Sequence, residues 1–206
     1  MFAPLRRAYL RKKLGPPIVI VSGLPRSGTS MMMKMLTAAG LEIVTDNVRT
    51  ADEDNPKGYF EYERVKELDK GTDKGWLREH RGKVLKIISF LLRDLPDECF
   101  YRVIFMRRDL EEVIASQNKM LDRRGEPRDE AGDKKMIKLY GNHLRKVELI
   151  LGGRPNFELL DVGYRQVIDE PREQAVRVAK FLGLKIEPDE MASAVDRSLY
   201  RNRQQA

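Results

Sequence analysis

The sequence predicts an α/β fold in which helices cover both faces of a central parallel β-sheet, giving three layers. Two observations favour this fold. Short apolar runs rich in β-branched residues alternate along the chain with helix-forming segments, as in folds built from strand–helix–strand units. The first run, residues 18–22, leads through a loop bounded by glycines directly into a helix-forming segment. Because the ligands of parallel sheets bind at the carboxyl ends of the strands, we expect the functional site beside this loop.

The individual elements follow from apolar periodicity and from the residues that begin or end them. Each predicted strand is a short and mostly apolar run, and these runs are residues 18–22, 41–44, 83–88, 102–106 and 157–162. Each predicted helix has apolar residues at helical spacing or a charged, helix-forming composition, and these segments are 29–39, 61–70, 110–121, 134–151 and 171–183. The polar segments 46–59 and 122–133 are interpreted as loops.

The loop after the first strand, GLPRSGTS, has the glycine spacing of a P-loop. In such a loop, backbone N–H groups and the positive end of the helix dipole hold a phosphate. A loop that binds nucleoside triphosphates has lysine after its second glycine, whereas here Thr29 follows Gly28 and the cation is Arg26. We therefore predict a P-loop-type fold whose phosphate cradle lacks that lysine. The predicted cradle consists of Arg26, Ser27, Gly28, Thr29 and Ser30.

Length and composition limit the class of protein. The 206 residues, 41% hydrophobic and 34% charged, predict a single domain with a basic N-terminal extension (1–16) and a C-terminal extension (185–206). The one cysteine, Cys99, excludes an intramolecular disulfide and suits a reducing cytoplasm. Since His80 and His143 are the only imidazoles, we expect no metal site. No apolar run has the length of a transmembrane helix.

The net charge of +7 predicts an anionic ligand. Basic residues are interleaved with acidic ones, aromatic residues are only 7%, and no nucleic-acid-binding motif is present, so a nucleotide is favoured over a nucleic acid. The basic segment 1–13 lacks the apolar stretch of a secretory signal. We interpret it as a flexible tail or a short surface helix; contact with a membrane surface or an acidic partner is the alternative.

A second candidate phosphate site lies in RVIFMRRDLEEVIAS, residues 102–116. A predicted buried strand ends there in two arginines, and a helix follows. An arginine at the carboxyl end of a strand can direct two N–H donors to a phosphate. Ser116 lies about two turns into the helix, where its hydroxyl can add a donor. The alternative is that one arginine pairs with Glu111 or Glu112 and that Ser116 only packs.

Together, PRSGTS after one strand and RD-x6-S after a later one resemble the sulfotransferases that use 3′-phosphoadenosine 5′-phosphosulfate (PAPS). The resemblance extends over residues 18–184 and includes NPKGYFE, residues 55–61, which is similar to an element of bacterial members. It implies that the first loop holds the 5′-phosphosulfate and that Arg108 and Ser116 hold the 3′-phosphate. It also implies that Lys86, in KVLKIISFLLRDLP, is the catalytic lysine.

The general base differs from that of many cytosolic members of this family, which have a histidine two residues after the lysine. Here that position is Ile88. We expect a carboxylate instead, as in the Golgi branch of the family. Glu61, which closes NPKGYFE, is the first candidate, and Glu63 and Asp46 are the alternatives.

The glycine-rich C-terminal motif with which the family clamps the 3′-phosphate and adenine is absent from this sequence. Arg197, Arg201 and Arg203 are candidate substitutes, and a basic tail without that role is the alternative. Arg49 and Tyr59 are candidates for the acceptor side.

The predicted function is metal-independent, in-line transfer of a sulfuryl group from PAPS to a hydroxyl or amine acceptor, with Glu61, Lys86 and Arg26 as catalytic groups. A phosphosulfate carries less charge than a triphosphate, so arginine and backbone amides can hold it without Mg²⁺. The alternatives are a P-loop kinase and a nucleotide-binding protein without turnover. The sequence predicts neither the acceptor nor the oligomeric state.

Overall fold

The computed structural model describes residues 3–46, 60–125, 130–185 and 187–196. In these residues four strands form one sheet of order β2-β1-β3-β4, and all neighbouring strands are parallel. The strands are β1 (Ile18–Gly23), β2 (Val84–Lys86), β3 (Tyr101–Arg107) and β4 (Phe157–Gly163). The predicted parallel sheet is confirmed, and its strands all end at the edge to which the glycine-bounded loop is attached.

Helices connect these strands. Within the described ranges the α-helices are α1 (Ala3–Leu14), α2 (Thr29–Ala38), α3 (Leu110–Arg124), α4 (Glu130–Gly153), α5 (Tyr164–Asp169), α6 (Pro171–Leu182) and α7 (Pro188–Ser193). Three 3₁₀ segments are Glu63–Glu67, Gly75–His80 and Ser89–Asp94. The helices predicted at 29–39, 110–121, 134–151 and 171–183 are thus confirmed. The loop predicted at 122–133 is partly wrong, since α3 extends to Arg124 and α4 begins at Glu130. No helix in the described part of the chain is both long and apolar enough to cross a membrane.

The side chains of β1 alternate between the two faces of the sheet and so divide the core. Ile18 and Ile20 pack with buried residues of α4 and the three 3₁₀ segments. Val19 and Val21 pack on the opposite face with buried residues of α2, α5, α6 and α7. Helical segments therefore cover both faces, and the predicted three-layer α/β architecture is confirmed.

The strand predicted at 41–44 is wrong. In this segment Ile43 makes an isolated parallel bridge to Val84. The Val84 N–H donates to the carbonyl of Glu42, and the Val44 N–H donates to the carbonyl of Val84, both at 2.9 Å. Both hydrogen bonds are made with Val84 alone, so the segment forms a single bridge and not a ladder.

The α-helix predicted at 61–70 is also wrong, since the segment forms only the 3₁₀ turn Glu63–Glu67. Val65 and Leu68 are both buried, and the Leu68 N–H donates to the Val65 carbonyl at 3.2 Å. In an α-helix the Glu61 carbonyl would accept from the Val65 N–H, but here it accepts from the Asp46 N–H and the Thr45 hydroxyl, and the Val65 N–H donates to the Tyr62 carbonyl instead. These tertiary contacts override the charged, helix-forming composition.

The basic N-terminal segment is a surface helix, α1, rather than a flexible tail, so the first of the predicted alternatives is wrong and the second is confirmed. Of its residues, Leu5 and Tyr9 are exposed, and none of the side chains of α1 belongs to the buried clusters of the described core.

Candidate active site

The loop between β1 and α2 has a backbone that requires its two glycines. Gly23 has φ 153°, and a Cβ built there would lie 2.4 Å from Ser27 Oγ and 2.7 Å from the Met106 carbonyl oxygen. Gly28 has φ 97°, and a Cβ there would lie 2.4 Å from the ring of Tyr164. A side chain at either position would collide with neighbouring atoms. Both positions therefore need glycine, for its positive φ and for its lack of a side chain.

The interior of this loop presents unsatisfied donors. Ser27 is 1% exposed, and its hydroxyl has no hydrogen-bond partner in the described structure. The amides of Gly28 and Thr29 stand at the first turn of α2, where a helix supplies no intrahelical acceptor. A buried hydroxyl beside such amides is a donor set suited to an anionic oxygen, and the positive end of the α2 dipole adds to it.

Lys86 ends β2 beside this loop, because β2 pairs in register with β1 and Lys86 lies opposite Val21. Its ammonium group donates to Ser30 Oγ at 3.3 Å and lies 4.0 Å from Glu61 Oε1. The Lys86 side chain is only 10% exposed and that of Glu61 23%. The structure therefore brings the predicted lysine, the first predicted base and the start of α2 together.

The three candidate carboxylates have different surroundings. Asp46 Oδ2 accepts from the backbone N–H of Glu63 at 2.6 Å, which caps the following 3₁₀ turn. Glu63 pairs with Lys66 at 2.6 Å on the exposed surface. The backbone of Glu61 is held by the Thr45 hydroxyl, which donates to the Glu61 carbonyl at 3.0 Å. Glu61 also forms the ion pair with Lys86 described above.

The second predicted phosphate site is positioned by the start of α3. Asp109 is the N-cap of this helix, and its side chain accepts from the amides of Glu111 and Glu112 at 2.9 and 3.1 Å. Arg108 precedes the cap. Its Nε donates to Glu112 Oε2 at 3.0 Å, and both side chains of this pair are buried. The pairing of an arginine with Glu112, which the sequence left open as an alternative, is therefore present.

Arg108 and Ser116 also contact the first loop. The Arg108 guanidinium donates to the Arg26 carbonyl at 3.1 Å, and Arg26 Nε donates to Ser116 Oγ at 3.1 Å. Arg26 itself has φ 69°, an uncommon backbone conformation for a residue other than glycine. The two predicted phosphate sites are thus joined directly, through hydrogen bonds between residues far apart in the sequence.

Tyr164 is a site residue that sequence reasoning missed. It begins α5, a helix of six residues directly after β4, whose buried residues Tyr164, Val167 and Ile168 are at helical spacing. The Arg108 guanidinium lies 4.3 Å from the centre of its ring, while the same ring closes on Gly28. Burial raises the pKa of the Tyr164 hydroxyl, an effect that the nearby Arg108 partly offsets. The apolar spacing of Tyr164, Val167 and Ile168, which starts where β4 ends at Gly163, is the signal in the sequence that could have pointed to it.

The two histidines lie outside this constellation. His143 Nε2 is 2.9 Å from Ser89 Oγ, and its ring stacks on Phe90 with 3.8 Å between centroids. His80 packs edge-on against Tyr62 and Trp76. Several other predicted positions lie outside the described residues, and these are Arg49, Tyr59, Arg197, Arg201 and Arg203.

The chain matches one family model in sequence and several solved structures in fold. The sequence model of the family described as the sulfotransferase domain matches residues 16–206. No protein of curated function matches the sequence. Similar solved structures include the sulfotransferase domain of the curacin biosynthetic pathway, with 16% identity, a TM-score of 0.52, and coverage of 89% of this chain and 80% of that one.

Two further solved structures are similar. One is the sulfotransferase domain of the olefin synthase of Synechococcus PCC 7002, at 16% identity and a TM-score of 0.52, covering 92% of this chain and 82% of that one. The other is a sulfotransferase from Alicyclobacillus acidocaldarius, at 13% identity and a TM-score of 0.50, covering 92% of this chain and 98% of that one. At these identities the likeness shows a common fold.

Proposed function

The chain belongs to the sulfotransferase domain family, and from that premise we propose that it transfers a sulfuryl group from PAPS to a hydroxyl or amine acceptor. The transfer is in-line and needs no metal ion. The observation that carries this proposal is the position of Lys86, which lies 3.3 Å from Ser30 Oγ and 4.0 Å from Glu61 Oε1. A cation and a carboxylate thereby meet at the start of the helix that follows the phosphate loop.

The described residues fit the 5′-phosphosulfate of the nucleotide. The orphaned hydroxyl of Ser27 and the first-turn amides of α2 supply donors, and the cradle is lined by glycines that leave the backbone accessible. Arg26, Thr29 and Ser30 complete this group. We assign the 3′-phosphate to Arg108 and Ser116, and we retain Arg201 as a candidate contact for the same phosphate.

The nucleotide supplies the sulfuryl group and a phosphate leaving group. Glu61 accepts the proton of the acceptor hydroxyl or amine, since it is the candidate carboxylate beside Lys86. Lys86, Arg26 and the hydroxyl of Thr29 stabilise the charge that develops on the oxygens around the reacting centre. Lys86 is held by β2, Thr29 by the start of α2, and Arg26 by its hydrogen bond to Ser116, so the fold itself positions these groups.

Calorimetry with adenosine 3′,5′-bisphosphate and with ATP, each with and without Mg²⁺, tests the nucleotide assignment. We expect the bisphosphate to bind without metal and more tightly than ATP, because a residue other than lysine follows Gly28. Binding of ATP that depends on Mg²⁺, with no binding of the bisphosphate, would identify a kinase-type site instead.

Release of the bisphosphate from PAPS in the presence of a panel of hydroxyl and amine acceptors tests the reaction. We expect acceptor-dependent turnover that is abolished by Lys86→Ala. Bisphosphate binding without turnover on any acceptor would instead favour a nucleotide-binding protein. The observation that favours this alternative is Ile88, which occupies the position of the family's histidine.

A further inference from the structure

Helix α1 lies outside both the matched family domain and the candidate active site. It ends at Leu14, before the domain match begins at residue 16. It leads into the amino-terminal end of β1, whereas the phosphate loop follows the carboxyl end of the same strand. Since β1 has six residues, the two ends are roughly 20 Å apart. A partner bound to α1 at this edge would leave the candidate active site open.

One face of α1 is exposed and combines apolar with basic side chains. Leu5 is 61% exposed and Tyr9 55%. Lys12 and Lys13 continue this face at the spacing i, i+4, i+7, i+8, and both are exposed. Arg6 borders it, because positions 6, 9 and 13 are also neighbours on a helix. The Lys13 ammonium lies 6.0 Å from the centre of the Tyr9 ring.

The opposite face of α1 is turned toward the protein. Arg7, Leu10 and Leu14, at positions i, i+3 and i+7, are half-buried, whereas Leu5, Tyr9, Lys12 and Lys13 are exposed. The helix contains no acidic residue that would neutralise its cations internally. The exposed face therefore presents a leucine, a tyrosine and several uncompensated positive charges to the surroundings.

We propose that this face of α1 docks the protein on an anionic lipid surface. Leu5 and Tyr9 enter the boundary between headgroups and acyl chains, a position that suits tyrosine because its ring is apolar and its hydroxyl stays hydrated. Arg6, Lys12 and Lys13 contact the lipid phosphates. Because α1 carries cations and no acidic residue, its charge is complementary to an anionic lipid surface, and the exposed Leu5 and Tyr9 add apolar side chains that such a surface can take up.

Co-sedimentation of the full chain with lipid vesicles tests this proposal. We compare vesicles of phosphatidylcholine alone with vesicles that contain roughly one-third phosphatidylserine. We expect binding to the anionic vesicles only, with a partition coefficient that falls as salt is raised because the charges are screened. Each cation near such a surface strengthens binding roughly fivefold. The triple variant Arg6→Gln, Lys12→Gln, Lys13→Gln should therefore bind roughly 100-fold more weakly.

The matched control neutralises three exposed lysines on α4 by Lys134→Gln, Lys135→Gln and Lys138→Gln. It changes the net charge equally and should retain most of the binding. The variant Leu5→Ser, Tyr9→Ser tests the apolar contribution and should also bind more weakly. Equal loss in the α1 and α4 triple variants, or no sedimentation with anionic vesicles, would overturn the proposal. The readout does not depend on sulfuryl transfer.

Discussion

Glu61 and Lys86 are the residues whose placement bears most directly on the proposed chemistry. The carboxylate and the ammonium group lie 4.0 Å apart, and neither side chain is more than a quarter exposed. At this separation Lys86 can stabilise charge on a reacting oxygen while Glu61 remains available to a nearby proton. The pair therefore supplies both the charge-stabilising cation and the general base that the proposed transfer requires.

Replacing the base tests this arrangement. We expect Glu61→Gln to lower kcat by roughly 100-fold or more, because general base catalysis typically contributes that much, while the affinity for adenosine 3′,5′-bisphosphate is retained. Steady-state turnover and calorimetry measure the two quantities. Glu63→Gln is the matched control, since that carboxylate pairs with Lys66 at the surface. If Glu63→Gln or Asp46→Asn lowers turnover instead, the base is one of the two alternatives.

Arg108 offers a second test at the level of one residue, because its buried guanidinium has both structural and ligand-directed contacts. We expect Arg108→Ala to weaken binding of adenosine 3′,5′-bisphosphate by roughly 10- to 100-fold, the loss typical of a charged hydrogen bond. Adenosine 5′-monophosphate, which lacks the 3′-phosphate, is the control ligand and should bind almost unchanged. Equal losses for both ligands would mean that Arg108 acts by supporting the Arg26 carbonyl rather than by holding the 3′-phosphate.

At the scale of elements, the loop between β1 and α2 depends on the packing of α5 against it. The ring of Tyr164 occupies the space next to Gly28 and also lies over Arg108. One tyrosine from α5 thus contacts both the phosphate loop and the start of the segment that leads into α3. The shape of the cradle is therefore set by three elements together rather than by its own sequence alone.

A pair of glycine substitutions separates this packing from backbone strain. Gly28 and Gly40 both have positive φ, 97° and 77°, but a Cβ at Gly40 would meet nothing within 4 Å. We expect Gly40→Ala to lower the free energy of unfolding by roughly 1–2 kcal/mol, the cost of the left-handed conformation. Gly28→Ala should lower it further and also weaken bisphosphate binding. Urea unfolding and calorimetry measure the two effects. If both variants have the same free energy of unfolding, the Tyr164 ring moves away from residue 28 without loss of stability.

For the whole molecule, two half-buried histidines that pack beside the core on one face of the sheet favour the neutral form. Burial is the first cause that lowers the pKa of His143, with Arg93 and Lys146 adding to it, and burial likewise lowers the pKa of His80. His143 also lies within hydrogen-bond distance of the buried hydroxyl of Ser89. Protonation of His143 would therefore place a charge between two existing cations in a partly dry site.

This predicts a loss of stability in mild acid. The ordinary pKa of histidine is 6.5, and because the folded state has the lower value, the unfolded chain binds more protons below that pH. The free energy of unfolding should then fall as the pH falls through 6.5 toward the folded-state pKa. Urea unfolding at about pH 8 and about pH 5 measures the difference. We expect His143→Gln to reduce the difference, and an unchanged difference in this variant would assign the effect to other groups.

The sequence by itself determined the parts of this protein that depend on local order. The strand, glycine-bounded loop and helix are contiguous in the chain, so their geometry follows from neighbouring residues. The alternation of strands with helices, which predicts a parallel sheet, likewise follows from segments that are neighbours in the chain. This dependence on local order did not hold for 61–70, where the Glu61 carbonyl bonds to Thr45 and Asp46 and a 3₁₀ turn forms in spite of the helix-forming composition. It also did not hold for 41–44, where pairing is confined to a single bridge with Val84.

Only the tertiary structure decided how the candidate site is assembled. The sequence ranks Glu61 ahead of Glu63 and Asp46 only because it closes NPKGYFE, and the contact of its carboxylate with Lys86 is a property of the tertiary structure. The bond between Arg26 and Ser116 joins residues 90 positions apart, and Tyr164 reaches Gly28 from another element. Such contacts depend on how layers pack on the sheet, because no short-range preference in the chain specifies which distant side chains will meet.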